Sequence, residues 1–228
     1  VYFRDKKINY STKAKGSVGR MKLEDFKVFL DQIFKFFPTN NQAKRIKKII
    51  TTAYKDKFTL AGATRSLIHQ LFGNKGLITI DPDSHDLKKM FSSYMEDELI
   101  NNTCQECVNK TVKSIKEVYS EKYIPQVNPR EINLFHLNVN SRKRIIRKGL
   151  KYILSDKNVS QQEMLHELDK RPENFSPNVL MRPLYQEVIL PNLCYIGGPS
   201  EMSYWLELKS FFDYHGVVFP IINPRVSV

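Results

Sequence analysis

Apolar residues along the first third of the chain recur at helical spacing. Phe26, Phe29, Leu30, Ile33 and Phe37 share one face of a helix that starts at Met21 and ends before Pro38. Ile46, Ile49, Ile50 and Ala53 form the inward stripe of a second helix over about 42–55, with its lysines outward. A third helix begins near Thr59, uses Leu60, Ala63, Leu67 and Leu71, and stops at Gly73. Loose alternation over 1–10 predicts a strand or hairpin arm, and Gly16 and Gly19 mark a turn. Together these elements predict a helical module over residues 1–73.

The pattern then changes. Residues 76–80 (GLITI) are uninterruptedly apolar and read as a buried strand, followed by one long helix over roughly 84–120. Pro125 and Pro129 break the chain, and residues 132–136, 144–147 and 151–154 read as strands of a small meander. Ser160-Gln161-Gln162-Glu163 is a capping box that opens a helix of about 160–170. From Asn178 the order is a strand at 179–181, a short helix opened by Arg182-Pro183 and closed by Pro191, a strand at 193–196, a helix at 200–213 and a strand at 217–222. The expected fold class is α/β. A parallel sheet of at least four strands is carried by segments 74–120 and 176–228, with an inserted small α+β module at 121–175.

Charge changes this picture in one place. The net charge is +12, and residues 1–70 hold 16 Lys and Arg against 5 Asp and Glu, whereas residues 71–228 hold 20 against 19. The basic module either attracts an anionic partner such as nucleic acid or is a solvated lysine-rich surface. Its phenylalanines fall at helical spacing, which favours core over base-stacking platforms. No stretch approaches the ~20 apolar residues of a membrane span. The start at Val1 and the stop just after an apolar run both read as cuts from something longer.

The densest chemistry lies at the strand over 193–196. Leu193–Ile196 stops at Gly197-Gly198-Pro199, and a helix restarts at Ser200-Glu201. Open α/β sheets bind ligands at such strand–turn–helix junctions, where glycines permit close approach and the helix mouth offers N–H groups to an anion. Glu201 is either a first-turn acid favoured by the helix dipole or a grip on a substrate ammonium. Arg182 and Gln186 lie one turn apart and can face one cleft; arginine suits capture of carboxylate or phosphate, and pairing with Glu187 is the alternative. Tyr204 and Trp205 are either pocket walls or core, and Arg225 follows the last strand as a ligand contact or an ordinary loop residue. No residue identifies itself as a catalytic base.

Asp81, Asp83, His85 and Asp86 suggest a magnesium or ribose contact, or simply a helix cap at Asp83 or Ser84. His69, His136, His166 and His215 lack ligand-spaced partners, and Cys104 and Cys107 form a lone CxxC, so neither zinc nor a Ser-His-Asp arrangement is predicted. Cys194 reads as a buried filler within its strand. The chain has no GxxxxGK[ST] loop and no GxGxxG after a strand.

Three runs, RPLYQEVILPN (182–192), CYIGGPSEMSYW (194–205) and FPIINPR (219–225), resemble the bacterial bacillithiol biosynthesis cysteine-adding enzyme family, a family of cysteine ligases. GSVGRMKLEDF (16–26) and VNPREINLF (127–135) extend the resemblance over nearly the whole chain. It implies the middle portion of an enzyme that adds cysteine to glucosaminyl-malate, forming an amide with the glucosamine nitrogen. It further implies a Rossmann-like core similar to class I aminoacyl-tRNA synthetases, with residues 1–73 and 121–175 as connecting modules. By the same analogy ATP, with Mg, activates the carboxyl group. A nucleotide-fold half precedes Val1, a coiled coil follows Val228, and the full-length protein is a cytoplasmic homodimer that acts on small molecules. The resemblance makes Arg182, Gln186, Gly197, Gly198 and Glu201 the cleft residues. A tRNA-like nucleic-acid-binding module is the competing reading, resting on the basic residues 1–70, and a non-catalytic scaffold is a third.

Overall fold

Spacing of apolar residues and local caps set the helices of the first unit. The computed structural model describes residues 2–3, 6–11, 15–24, 26–54, 59–139 and 141–226. The chain divides into two units, residues 1–82 with 138–141, and residues 83–137 with 142–228. In the first, β1 (Tyr2–Phe3) pairs antiparallel with β2 (Lys6–Lys7). A 3-10 turn at Val18–Arg20 precedes α1 (Phe26–Phe34), α2 (Asn41–Ala53) and α3 (Leu60–Phe72). The Asn40 side chain accepts the Ala43 N–H at 2.8 Å and Thr59 accepts that of Gly62 at 3.2 Å, so each of the latter two helices starts on a side-chain cap. Leu23, Phe26, Leu30 and Ala63 are the buried core. Phe26 stacks on Tyr54 at 4.9 Å, which turns these rings toward one another and not toward a partner.

Two expectations fail here. The first helix starts at Phe26, not Met21, because Val18–Arg20 form the short turn and Lys22 bridges to Thr59. Residues 77–80 are irregular, and Ile78 is 82% exposed. No neighbouring strand pairs with this apolar run among the described residues, so it does not become the predicted buried strand.

The second unit opens with α4 (His85–Met90), α5 (Ser92–Asn101) and α6 (Thr103–Val118) in place of one long helix. One break falls at Phe91 and the other at Asn102, whose φ of 57° is left-handed and tolerable for asparagine. Then follow β3 (Leu134–Asn138), β4 (Ser141–Arg144), β5 (Ile146–Lys148), β6 (Lys151–Leu154), β7 (Lys157–Ser160), α7 (Gln161–Lys170) and β8 (Phe175–Pro177). Their sheet orders are β4-β3-β8 and β5-β6-β7. The predicted capping box is present: Ser160 Oγ accepts the Glu163 N–H at 3.2 Å and Glu163 Oε2 accepts the Ser160 N–H at 2.7 Å. Residues 121–175 share one core with the rest of the unit, since Leu134, Met164 and Phe175 are buried with Phe91, Met95, Trp205 and Phe211.

The unit closes with α8 (Met181–Ile189), β9 (Cys194–Gly197), α9 (Pro199–Leu206), α10 (Lys209–Tyr214) and β10 (Ile221–Pro224). β9 and β10 pair in parallel, from Cys194↔Ile221 to Gly197↔Pro224, with α9 and α10 as the crossover. Among the described residues this pair is the whole of the parallel sheet. Residues 179–181 are a turn into α8 and not a strand, because Asn178 Oδ1 accepts the Leu180 and Met181 N–H groups at 2.9 and 3.1 Å. The expected helix at 200–213 is two helices broken near Glu207 and Leu208. The β9 strand buries one face only. Tyr195 and Ile222 turn inward, whereas Cys194, Ile196 and Ile221 are exposed, so Cys194 is not the filler expected. Among the described residues, no helix is long and apolar enough to cross a membrane.

One buried polar cluster ties these segments together. Glu98, fully buried, accepts the Cys104 N–H at 2.9 Å, capping α6, and both the backbone N–H and the side-chain amide of Asn133 at 2.8 Å. Asn133 Oδ1 in turn accepts from the Arg130 N–H at 3.1 Å and from Asn178 Nδ2 at 2.8 Å. Burial pushes Glu98 up to about 7, against the lowering effect of its hydrogen bonds. Because this value is raised on folding, the carboxyl's contribution to stability is complete below its unfolded value of 4.5 and is lost as pH rises through about 7. The melting temperature should therefore fall between pH 5 and pH 8, with a flatter dependence in Glu98→Gln. At pH 5 that variant should lose about 1–3 kcal/mol by leaving the Cys104 N–H without an acceptor. Denaturant melts across this range check both, and equal pH slopes in the two proteins would refute the assignment.

Candidate functional site

The turn between β9 and α9 is shaped by crowding. Gly197 and Gly198 are both buried. The Arg225 N–H donates to the Gly197 carbonyl at 2.8 Å, which holds the end of β10 beside the turn. A Cβ on Gly197 would stand 2.7 Å from Cε1 of the Tyr195 ring. A Cβ on Gly198 would stand 3.3 Å from the Arg225 guanidinium and 3.6 Å from Glu201 Oε2. Gly198 has an extended backbone (φ −72°), so its small size matters here and not a left-handed conformation.

Glu201 is the centre of the arrangement. Its Oε2 accepts the Gly198 N–H at 2.9 Å, which is one half of a capping box; glycine has no side chain to return the other. Its Oε1 accepts the Tyr195 hydroxyl at 3.2 Å. The Gly198 N–H is thereby occupied and is not the free anion donor that the sequence suggested. Backbone donation by Gly198, then the Tyr195 hydroxyl and the charges of Arg225 and Arg182, hold the Glu201 carboxyl below the usual carboxylate range. Burial, with Tyr204 and Glu201 nearby, raises the Tyr195 phenol, so it stays protonated as a donor. Neither arginine forms an ion pair with Glu201 among the described residues, and both are exposed. The result is an anchored carboxylate flanked by two guanidinium groups with free donors, able to hold a ligand that carries both signs of charge.

The other sequence candidates separate. Gln186 turns away and donates to Glu187 Oε1 at 3.1 Å. Buried Glu187 also accepts the Asn192 backbone N–H and side-chain amide, each at 2.8 Å, and so fixes the loop that feeds β9. Trp205 is wholly buried and stacks on Tyr195 at 4.3 Å, and Tyr204 is also buried; both belong to the core and brace the turn from below. Tyr195 is the residue that sequence reasoning passed over, whereas Glu187 is the partner it offered as the alternative for Gln186. Both lie inside the runs that carried the family resemblance.

Within the first unit Asp81 pairs with Arg65 at 3.3 Å; within the second, His85 pairs with Glu173 at 2.7 Å and Asp83 lies 3.8 Å from buried Lys88. Ser84 occupies the N-cap position of α4 but makes no side-chain cap bond. Burial pushes the Cys104 and Cys107 thiols up, which keeps both protonated. The fold also sets His136 Nδ1 2.9 Å from Ser155 Oγ, with Glu167 3.9 Å from the other ring nitrogen. That last separation is too long for a hydrogen bond, and burial lowers the imidazole's pKa, so the group reads as a neutral histidine fastening the β6–β7 turn.

The two glycines should respond differently to substitution. Gly197→Ala drives a methyl into an aromatic ring packed on Trp205 and should cost about 1–3 kcal/mol. Gly198→Ala meets the movable end of Arg225 and should cost less than about 1 kcal/mol while displacing that guanidinium. Equilibrium unfolding of both variants tests the ranking.

Comparison with known proteins places this arrangement. Residues 1–226 match the family model described as "Bacillithiol biosynthesis BshC, N-terminal Rossmann-like domain". A Flavobacterium johnsoniae protein named "Putative cysteine ligase BshC" is 46% identical over 228 residues, covering 99% of this chain and 42% of its own length. Proteins of the same name from Flavobacterium psychrophilum and Bacillus cereus are 43% and 30% identical over 227 and 220 residues. They are covered over 42% and 40% of their lengths, and the matches take in 99% and 95% of this chain. The chain thus spans about two-fifths of these relatives. With its Gly-Gly turn and flanking arginines inside the matched region, the chain belongs to the BshC family, as a portion of its Rossmann-like domain.

Proposed function

We propose that Glu201, Arg182 and Arg225 receive a zwitterionic amino acid, cysteine, in a full-length ligase that joins it to glucosaminyl-malate through an amide bond. The observation that carries this reading is the Glu201 carboxylate, fixed by Gly198 and Tyr195 and flanked by two exposed guanidiniums. A carboxylate suits the ammonium group of an amino acid, and arginine suits its carboxylate. Amide formation needs one amine free to attack and the other held back. A charge-assisted bond to Glu201 keeps the cysteine amine protonated, leaving the glucosamine nitrogen as nucleophile. As the C–N bond forms, the amine gives up a proton and the acyl carbon expels a leaving group, which ATP would supply by activating the cysteine carboxyl outside these residues; the arginines oppose the negative charge that develops on the acyl oxygen.

The turn is a poor cradle for nucleotide phosphate. Its Gly198 N–H is already donated and a carboxylate stands at the helix mouth. No step of the proposal therefore runs a nucleotide or its magnesium through these residues. We also read the β9–β10 pair as part of a larger sheet similar to class I aminoacyl-tRNA synthetases. The parallel pairing supports this, as does the exposed apolar face of Ile196 and Ile221, because parallel sheets are covered on both faces.

Steady-state kinetics of the full-length protein test the assignment. Glu201→Gln should raise KM for cysteine about tenfold or more, and Arg182→Ala and Arg225→Ala should lower kcat/KM for cysteine about a hundredfold, with melting temperatures little changed. Parental kinetics in all three variants would refute it.

A further inference from the structure

A cavity with a volume of about 470 Å³ is lined by Arg130, Arg142, Arg144, Asn178 and Phe135 among others, and shares no lining residue with the Gly-Gly turn. Among the described residues its lining contains no aspartate or glutamate. Three exposed arginines therefore border one concavity of small-molecule size without a described carboxylate among its lining residues. None of the three forms an ion pair among the described residues.

The sequence places them there for identifiable reasons. Arg142 and Arg144 are two apart on β4, so they project from the same face of the strand. The Arg142 guanidinium lies 3.6 Å over the Phe135 ring and that of Arg144 lies 5.9 Å from the same centroid. The Phe135 ring thus gathers two cations beside one another. Arg130 is fixed through its backbone: its N–H donates to Asn133 Oδ1 at 3.1 Å and its carbonyl accepts from Asn133 Nδ2 at 2.7 Å. Asn133 is itself held on buried Glu98. Partial burial lowers the pKa of Arg142, although its side chain keeps contact with solvent. Like charges held together on a rigid support favour occupation by an anion, and forked guanidiniums match paired oxygens.

We infer that this cavity is a binding site for a small polyanion, bearing either phosphate groups or two carboxylates, separate from the amino-acid site at the glycine turn. Arg130, Arg142, Arg144 and the amide of Asn178 supply donors, and the apolar wall of Phe135 and Leu180 limits the ligand to a compact molecule.

Calorimetric titration of the full-length protein at low salt, with inorganic pyrophosphate and separately with malate, tests this. At least one probe should bind with Kd below about 1 mM. Arg142→Ala and Arg144→Ala should each weaken that binding about tenfold or more, and Arg142→Lys should recover only part, since lysine keeps the charge but not the fork. Binding of pyrophosphate alone marks a phosphate-bearing ligand, and of malate alone a dicarboxylate. Absence of binding by both probes to the parental protein would overturn the inference. So would equal weakening by Lys148→Ala, a cation outside the lining, because the attraction would then be diffuse.

Discussion

A single buried carboxylate, Glu98, holds together segments that are far apart in the chain. It caps α6 through Cys104 and orders the 130–133 loop through Asn133. Asn133 passes that order to Asn178, whose side chain starts α8. A buried carboxylate is costly unless its oxygens are engaged, and here the N–H groups that engage it belong to two separate pieces of backbone. Order at Glu98 therefore reaches both functional surfaces. Arg182 stands in the first turn of α8, and Arg130 flanks the loop that Asn133 closes.

At the glycine turn, structure and binding use the same atoms. Glu201 satisfies the mouth of α9 with one oxygen and takes the Tyr195 hydroxyl with the other. Trp205 supports the Tyr195 ring from the core, so the carboxylate is fixed before any ligand arrives. Preorganisation of this kind lowers the ordering cost of binding. The glycines keep the space above the ring clear and let Arg225 close over the turn.

Elements whose signals are local were legible in the sequence. Thr59 and Ser160 caps, the stripe of α2, that of α3 apart from exposed Leu71, and the strand–glycine–helix order around Gly197 all rest on residues within one or two turns of one another. Local patterning misleads where a distant side chain decides. Residues 179–181 have strand-like composition, yet Asn178, held by Asn133, turns them into a helix start. The long helix predicted over 84–120 breaks at Asn102, beside the point where Glu98 reaches Cys104. The site was legible as a motif and not as a geometry: nothing local separates Trp205 in the core from Arg225 at the surface, and Tyr195 enters only through a cross-turn hydroxyl. Arg142 lies outside the strand expected at 144–147 and Arg144 only opens it, since what brings them side by side is the β4 strand and its pairing with β3.

The most direct test of this dependence is amide hydrogen exchange in the Glu98→Gln protein. If Glu98 organises both surfaces, protection should fall not only at Cys104 and Asn133 but also at Leu180 and Met181, which never touch the carboxylate. Unchanged protection at Leu180 and Met181, with loss confined to Cys104, would show that α8 is positioned independently and would contradict the account.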